Sequence, residues 1–552
     1  MRLGYMYLRK STQKRADGSK LSHLQIAENV WDPIKKRSRV RILYNCGRAD
    51  DEKAVERLRR LARSILKRCS PAELVRADPA MQVVDTWPYG DVYVLEQLWR
   101  RAGLPDLIAN LAAGRRFGFS VERALFAMVA HRALAPASKR HCWQRWLTDE
   151  VHIEGCEGLD LQHLYRAMDF LDAHREALEE GLFYRMADLF NLDVELIFYD
   201  TTSAHFEIEG EDPTGGELAR RRGHSKNGRG DAAQVVVGLA VTREGFPVRH
   251  WVFPGNTVDV STVARVKREL QGWKLGRCVF VGDAGMVSKE NLRALARGGG
   301  RYIVCMPVHR GGKLDTEVLS RRGRYREVGP NLRVKEVVLG DGERRERYAV
   351  CHNPRETRRR QRHRAEVLAA LEKELASLPP KGGSGHSKRV CGLRASRRYG
   401  RYLRLTRGGA LRINRAGVRS AERLDGKFVV HTNDDTLSAE DMALGYRQLQ
   451  RVEQAWRQMK SGLGLRPVYH REGRRIRAHV ALTVLALLLE RMAEHGVGDT
   501  WRNIGHDLRG IKLVKIRGPE GVLWQVTRPR PHAAKLLKRL KIEAPKPILK
   551  LD

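Results

Sequence analysis

The segment VELIFYD (residues 194–200) is a short run of β-branched and aromatic residues that ends in Asp200. A run of this kind predicts a buried β-strand. The segment RCVFVGD (residues 277–283) repeats the pattern and ends in Asp283. Three further runs of the same character are AAQVVVGLAV (232–241), FPVRHWVFPG (246–255) and RYIVCMP (301–307). The turn at residues 243–245 joins the first two of these as a hairpin.

Helical patterns lie between these strands, at residues 259–271 and from Ser288 onwards. The resulting order β-β-β-α-β-α-β predicts an α/β fold with a mixed sheet and flanking helices. Helical spacing also predicts helices at 92–113, 121–135 and 161–189. In the first fifty residues, apolar and polar residues alternate over short stretches, which predicts a small antiparallel sheet.

These changes of pattern divide the chain into six expected segments. They are a small β unit (1–50), a helical region (51–190), the first part of the α/β core (191–307), a basic insertion (308–425), the second part of the core (426–495) and a basic tail (496–552).

The composition is strongly basic, with 103 Lys and Arg against 65 Asp and Glu and a net charge of +38. An excess of this size favours a polyanionic partner such as nucleic acid, although a basic surface that serves only solubility is the alternative. The eight cysteines form no Cys-x-x-Cys pair, which argues against a zinc ribbon. Without an apolar stretch long enough for a membrane span, the chain is expected to be cytoplasmic and associated with the nucleoid.

Two acids stand at the ends of strands of one predicted sheet, where ligands of open α/β sheets gather. A strand-closing Asp is more often a turn residue, so Asp200 and Asp283 alone leave the chemistry open. A helix that begins at Ser438 with a capping-box pattern and runs through Glu453 to about Lys460 adds a third acid. Tyr446, Glu453, Arg457 and Lys460 share one face of that helix by spacing. A solvated face of ion pairs is the alternative.

Three carboxylates with cations beside them suit a Mg²⁺ site, because Mg²⁺ prefers hard oxygen ligands and binds with substrate phosphates. Two such ions would activate a water or a 3′-hydroxyl without any side-chain nucleophile.

Several segments resemble the DDE transposases of bacterial insertion sequences, in the superfamily with the Y-R-E-K signature. They occur in family order: FYDTTSAHFE, GHSKNGRGDAAQVVVGLAV, FPGNTVD, GDAGMVSKENL, HTND and YRQLQRVEQAWRQMKSGLGLRPVYH. The resemblance covers nearly the whole chain. It implies an RNase-H-like core with a mixed five-stranded sheet and a β-rich insertion, preceded by a mostly helical N-terminal region.

The resemblance also implies roles for single residues. Asp200, Asp283 and Glu453 match the catalytic, metal-binding acids of the family. Tyr446 matches the signature Tyr and Lys460 the signature Lys. Leu449 stands where the signature Arg is expected, and neither Arg447 nor Arg451 shares that helix face.

Further DNA contacts are expected from Lys226 and Arg229 in a Gly-spaced loop, from Arg457 on the Glu453 helix, and from Arg466 and His470 after it. A plain surface loop and a packed histidine are the alternatives for the loop residues and His470. Arginine runs at 354–364 and 394–404 are expected to touch the DNA backbone, with a solvated helix face as the alternative.

The expected function is Mg²⁺-dependent cleavage and strand transfer of an insertion sequence on double-stranded DNA. Two Mg²⁺ ions are implied, with Mn²⁺ as a substitute, and the family implies a homodimer on paired ends. The alternatives are an element-derived DNA-binding protein that no longer cuts and an RNase-H-like nuclease.

Overall fold

The computed structural model describes residues 6–15, 18–68, 82–190, 196–208, 210–213, 218–226, 228–273, 275, 278–308, 312–342, 345–518 and 521–551. Parts of three predicted strands, at residues 3–5, 194–195 and Arg277, lie outside them. The chain divides into two compact units. One comprises Met1–Thr86, Val514–Gln525 and Ile548–Asp552, and the other comprises Trp87–Leu513 and Val526–Pro547. The six expected segments stay a prediction.

The first unit begins with the antiparallel sheet expected from the first fifty residues. Its strands are β1 (Met6–Lys14), β2 (Lys20–Asp32) and β3 (Arg37–Arg48). Helix α1 (Glu52–Leu66) follows, and the Asp51 side chain caps it by accepting a hydrogen bond from the Lys53 amide. The unit also holds most of a four-stranded sheet of β4 (Gln82–Pro88), β16 (Lys512–Gly518), β17 (Gly521–Val526) and β18 (Ile548–Leu551).

The second unit opens with helices. They are α2 (Gly90–Arg101), α3 (Leu104–Ala112), α4 (Val121–Leu134), α5 (Leu161–Ala173) and α6 (Arg175–Leu189). The single helix expected at 92–113 breaks at Gly103, which has a φ of 68°. A Cβ there would also collide with the Arg185 guanidinium, so the break requires glycine.

A large mixed sheet forms the middle of this unit. Its strands are β5 (Leu196–His205), β6 (Gln234–Val241), β7 (Pro247–Pro254), β8 (Val279–Gly282), β9 (Arg301–Met306), β10 (Arg326–Gly329), β11 (Leu332–Leu339), β12 (Glu346–His352) and β15 (Lys427–Thr432). Helices α7 (Asp259–Gly272) and α8 (Lys289–Ala296) connect β7 to β8 and β8 to β9.

The strand order is β10-β11-β12-β15-β9-β8-β5-β6-β7, so the sheet has four strands beyond the five expected for the core. The five strands predicted from the sequence form one contiguous part, β9-β8-β5-β6-β7. Strand β15 then pairs antiparallel with β9, and β12, β11 and β10 extend the sheet beyond it. Strand β11 carries Arg333, Lys335 and Glu336 between apolar residues, and it lies in a basic segment without the apolar runs that marked the predicted strands.

Apolar packing holds the helices on the sheet. Every residue of β6 is buried, as expected for a strand covered on both faces. Tyr199 packs edge-on against Trp251 at 5.7 Å between ring centroids, and both belong to a core that includes Val263 and Val266 of α7. Burial of each large apolar side chain contributes about 1.5–3 kcal/mol. The carboxyl ends of β5 and β8 are thereby held rigidly.

The segment expected to be a β-rich insertion has two parts. Strands β10 to β12 belong to the main sheet, and the rest is mostly helical. That rest comprises α9 (Pro354–Ala376), α10 (His386–Ala395), the hairpin of β13 (Leu403–Leu405) and β14 (Leu411–Ile413), and α11 (Arg415–Arg423). It has a small core of its own, in which Val367, Leu371 and Tyr402 take part.

The helix expected to run from Ser438 to Lys460 is two helices, α12 (Ala439–Arg447) and α13 (Gln450–Ser461). The predicted capping box is present: Ser438 accepts from the Asp441 amide, and Asp441 accepts in return. At the junction the hydrogen bonds tighten to three-residue spacing, from the Leu449 amide to the Tyr446 carbonyl and from Val452 to Leu449.

Three helices close the chain, namely α14 (Gly473–Val497), α15 (Trp501–Leu508) and α16 (Pro531–Leu540). Helix α14 is buried along most of its length. Among the described residues no helix combines the length and the apolar character that a membrane crossing needs.

Candidate active site

Asp200 and Asp283 lie side by side at the sheet. Strands β5 and β8 are parallel neighbours, with Phe198 opposite Val281. Asp200 and Asp283 each follow two residues later, Asp200 still within β5 and Asp283 just after β8, and the charge of Asp283 acts on Asp200. Two acids that are 83 positions apart in the sequence are thus brought together by strand pairing.

Glu453 reaches the same place from α13, which packs against β5 and β6. The charge of Asp283 acts on both other acids. Burial raises the pKa of Asp200 to about 6, and the charges of Asp259 and Asp283 act in the same direction. Burial and the charge of Asp283 also raise the pKa of Glu453, while Arg457 opposes that shift. The three sequence-predicted acids therefore form one electrostatically coupled group.

Lys226 lies against Asp200. Its Nζ is 3.7 Å from Asp200 Oδ1 and 2.9 Å from Asp259 Oδ2, and it donates to the Thr201 carbonyl at 2.8 Å and the Thr201 hydroxyl at 2.7 Å. The Thr201 hydroxyl in turn donates to Asp259. The ammonium group therefore opposes the raised pKa of Asp200.

Asp259 is a fourth acid of the site, which the sequence reasoning missed. It stands at the first position of α7, directly after β7 and its turn. The segment FPGNTVD that contains it was recognised only as part of the family resemblance. Asp259 does not directly end an apolar strand, so only the folded structure shows that it lies beside Lys226.

Tyr446 lies over the second acid. The Tyr446 hydroxyl donates a hydrogen bond of 2.9 Å to Asp283 Oδ1. Burial, followed by the neighbouring Cys305 and Asp283, raises the pKa of Tyr446. The phenol therefore stays protonated and serves as a donor. Tyr446 was expected to share a helix face with Glu453 and to contact DNA, but it lies on α12 while Glu453 lies on α13.

Two basic residues lie close to the acids. Burial, Arg466 and Lys226 lower the pKa of Lys460 to about 8, while Asp200 opposes the shift. Burial also lowers the pKa of Arg466, whose buried Nη1 has no hydrogen-bond partner among the described residues. Lys460, which interacts with Asp200, and its neighbour Arg466 thus form a positive pair that could contact a phosphate.

The other expected contacts have different surroundings, although the charge of Arg457 also acts on Glu453. Arg229 is exposed and pairs with Glu207 and Asp231. Arg457 lines a wide cleft between α13, α14 and α15. His470 packs edge-on against Tyr165 and beside His479, and burial lowers its pKa to about 3.

Leu449, at the position of the expected signature Arg, is buried. It lines a pocket of about 240 Å³ together with Tyr446, Arg447 and Glu453. The Arg447 Nη1 donates to the Pro330 carbonyl at 3.3 Å. The tightened junction after α12 thus lets Arg447 share a pocket with Glu453, which the spacing of one regular helix did not predict.

The donor chemistry of Asp200, Asp283 and Glu453 suits Mg²⁺, since all three supply carboxylate oxygens and two of them are destabilised as anions. In the part of the chain that the structure describes, no three His, Cys, Asp or Glu side chains stand ready as a ligand set. Lys226 and Tyr446 instead engage Asp200 and Asp283.

Comparisons with known proteins identify two family models. The model "Transposase DDE domain" matches residues 201–489, a region that begins one residue after Asp200 and contains Asp283 and Glu453. The model "IS1634 family transposase, N-terminal domain" matches residues 8–77. No curated protein matches the chain.

Among solved structures, the chain is similar to a piggyBac transposase in a synaptic complex with hairpin DNA. The identity is 8%, the alignment covers 76% of this chain and 79% of that chain, and the TM-score is 0.33. The family assignment depends on the sequence models, one of which spans more than half of the chain. The protein therefore belongs to the DDE-type insertion-sequence transposases and is a DNA-cleaving enzyme.

Proposed function

We propose that the chain cleaves the ends of an insertion sequence and joins them to target DNA in a Mg²⁺-dependent reaction, with Asp200, Asp283 and Glu453 as the catalytic, metal-binding acids. The observation that supports this most strongly is the parallel pairing of β5 with β8, because Asp200 and Asp283 each lie two residues beyond the paired Phe198 and Val281. Glu453 is included as the third acid because the charge of Asp283 acts on Glu453 as it does on Asp200.

We also propose that the sheet region is an RNase-H-like core. Its five consecutive strands have the order β9-β8-β5-β6-β7, with β5, β8 and β9 parallel and β6 and β7 antiparallel to their neighbours. This arrangement supports the mixed five-stranded core that the resemblance implies. Strands β10 to β12 and β15 are then additions at the β9 edge.

Two bound Mg²⁺ ions, for which Mn²⁺ would substitute, would supply charge stabilisation and lower the pKa of an attacking water or 3′-hydroxyl. The three carboxylates would hold these ions from two strand ends and one helix. Tyr446 fixes the orientation of Asp283 through its hydroxyl. Lys460 and Arg466 would hold the scissile phosphate beside the acids.

Further DNA contacts are assigned to Lys226, Arg229 and Arg457, together with the basic helices α9, α10 and α11. His470 is assigned a packing role, because it faces Tyr165 and His479 and stays neutral. A homodimer holding two ends is part of the proposal, since one site cuts one end at a time.

The test uses the purified chain and DNA that carries the inverted repeats flanking its gene. Nicking at the repeat boundary and joining of the new 3′-hydroxyl to a second duplex are expected with Mg²⁺ or Mn²⁺ and are abolished by EDTA. Binding without cleavage would support a DNA-binding protein that no longer cuts. Cleavage of RNA–DNA hybrids in preference to the repeats would support an RNase-H-like nuclease. Either result contradicts the proposal.

A further inference from the structure

The Lys226 ammonium group is surrounded by oxygens. Four acceptors lie within 4 Å of its Nζ: one carboxylate oxygen each from Asp200 and Asp259, and the carbonyl and hydroxyl oxygens of Thr201. Hard oxygens of this kind are also what a divalent cation of the Mg²⁺ type binds. Asp200 is also one of the three acids that the proposed reaction needs.

The lysine is held in this place by a loop rather than by a regular element. The Lys226 amide donates to the Ser203 hydroxyl of β5 at 3.2 Å, which docks the loop on the same strand as Asp200. Farther along, the Arg229 amide donates to the Ser225 hydroxyl at 3.0 Å. The Lys226 side chain remains 31% exposed, so its ammonium group can leave the carboxylates without opening the core.

Charge balance explains why a cation is needed there. The charges of Asp259 and Asp283 both disfavour the anionic form of Asp200. Partly buried carboxylates without a counter-ion are unstable as anions, and a single lysine can neutralise only part of this group. A divalent cation would neutralise more of it and would need the same oxygens. The ammonium group and the divalent cation therefore exclude each other.

We propose that Lys226 is a positioning residue that holds Asp200 and Asp259 together with its ammonium group and competes directly with the divalent cation for these carboxylates. Binding of the cation displaces the ammonium group from Asp200 and Asp259 towards solvent, where it is available to a DNA phosphate. This inference rests on the proposed function, because it takes Asp200 to be a metal ligand.

The first experiment measures Mn²⁺ binding to the full, DNA-free chain by the electron paramagnetic resonance signal of free Mn²⁺. Lys226→Gln should bind Mn²⁺ about tenfold more tightly than the wild type. The cation then no longer has to displace an ammonium group from the carboxylates. The melting temperature of this variant in EDTA should fall, and Mn²⁺ should raise that temperature more than in the wild type.

Lys313→Gln is the matched control. Lys313 forms an ion pair of 2.7 Å with Glu346, similar in length to that of Lys226 with Asp259, and takes no part in the proposed site. Its Mn²⁺ affinity should equal that of the wild type. An unchanged or weaker affinity in a folded Lys226→Gln protein would overturn the inference.

A second measurement needs no variant. Acetylation of the wild-type chain, followed by mass spectrometry, reports how exposed each lysine amine is. Mg²⁺ should increase the acetylation of Lys226 several-fold and leave that of Lys313 unchanged. Equal or lower acetylation of Lys226 with Mg²⁺ would contradict the inference even if the Lys226→Gln chain failed to fold.

The two proposals fail in different ways. If Asp200, Asp283 and Glu453 prove essential for cleavage but Lys226→Gln leaves Mn²⁺ binding unchanged, only the lysine inference is wrong. If cleavage survives loss of any of the three acids, the proposed function is wrong whatever Lys226 does.

Discussion

At the scale of single residues, the site is organised by donors that engage the acids. Lys226 engages Asp200, and the Tyr446 hydroxyl engages Asp283. A donor to a carboxylate fixes its orientation, which matters because catalytic groups must be held close to their productive geometry. Neither contact could be read from spacing alone, since each joins residues on different elements.

Tyr446→Phe tests this organisation. The change removes the 2.9 Å hydrogen bond to Asp283 together with the contact between the hydroxyl and Cys305, and the cleavage rate should fall about 10- to 100-fold, as expected for a hydrogen bond to a charged group. The melting temperature should change little. Tyr469→Phe, at an exposed tyrosine, is the control. A Tyr446→Phe chain that cleaves at the wild-type rate would show that the phenol does not position Asp283.

Glu490 gives a pH-dependent prediction. It is buried in α14, accepts a hydrogen bond from Gln458, and burial raises its pKa from 4.5 to about 8. Between these pH values the unfolded chain has lost the proton and the folded chain keeps it. Stability should therefore fall as the pH rises through this window, by at most about 1.4 kcal/mol per pH unit.

Urea unfolding at several pH values between about 5 and 8 measures this slope. Glu490→Gln, which mimics the protonated form, should reduce it, and Glu366→Gln at an exposed position should leave it unchanged. A slope that is the same in Glu490→Gln as in the wild type would contradict the assignment of the titrating group.

At the scale of elements, the sequence predicted most of the strands that form the site. Asp200 and Asp283 could be found because each ends a short apolar strand, and strand-end acids of one sheet meet at one edge. The number of strands and the continuity of the helices were harder to predict from the sequence. The tightened turn at Leu449 involves no proline or glycine, and it depends on how α12 and α13 pack on different strands of the sheet.

The capping box of α12 gives an element-scale prediction. Ser438 and Asp441 satisfy amides at the start of the helix that carries Tyr446. Ser438→Ala should lower the free energy of unfolding by about 1 kcal/mol, the usual cost of losing such a cap. Ser377→Ala, which removes exposed hydrogen bonds of the hydroxyl to the Glu374 carbonyl and from Arg389 but no helix N-cap, is the control in urea unfolding. Equal effects of both changes would show that the cap is unimportant.

At the scale of the whole molecule, the net charge of +38 and the arrangement of the sheet are the main features. The composition gives the net charge and predicts a polyanionic partner. It could not predict that strands from the basic segment would extend the sheet, because a strand such as β11 contains charged residues and no long apolar run. Nor could it identify Asp259, which joins the site only through the connection between β7 and α7.

The charge makes DNA binding strongly salt-dependent. The logarithm of the binding constant should fall linearly with the logarithm of salt concentration, with a slope of about −0.9 per phosphate contact. Changing the exposed Arg355, Arg358 and Arg362 of α9 to Gln should reduce the slope by about 2 to 3. The same changes to Lys keep the charge and should preserve the slope. An unaltered slope in the Gln variant would place the DNA elsewhere.

The central claim is that Asp200, Asp283 and Glu453 together carry metal-dependent cleavage. The most direct measurement is single-turnover cleavage of repeat-bearing DNA in Mg²⁺ by Asp200→Ala, Asp283→Ala and Glu453→Ala, with Asp149→Ala as the exposed control. Each of the three should lose cleavage on the order of 1,000-fold or more while still binding the DNA, and the control should cleave normally. Cleavage near the wild-type rate in any one of the three would contradict the account.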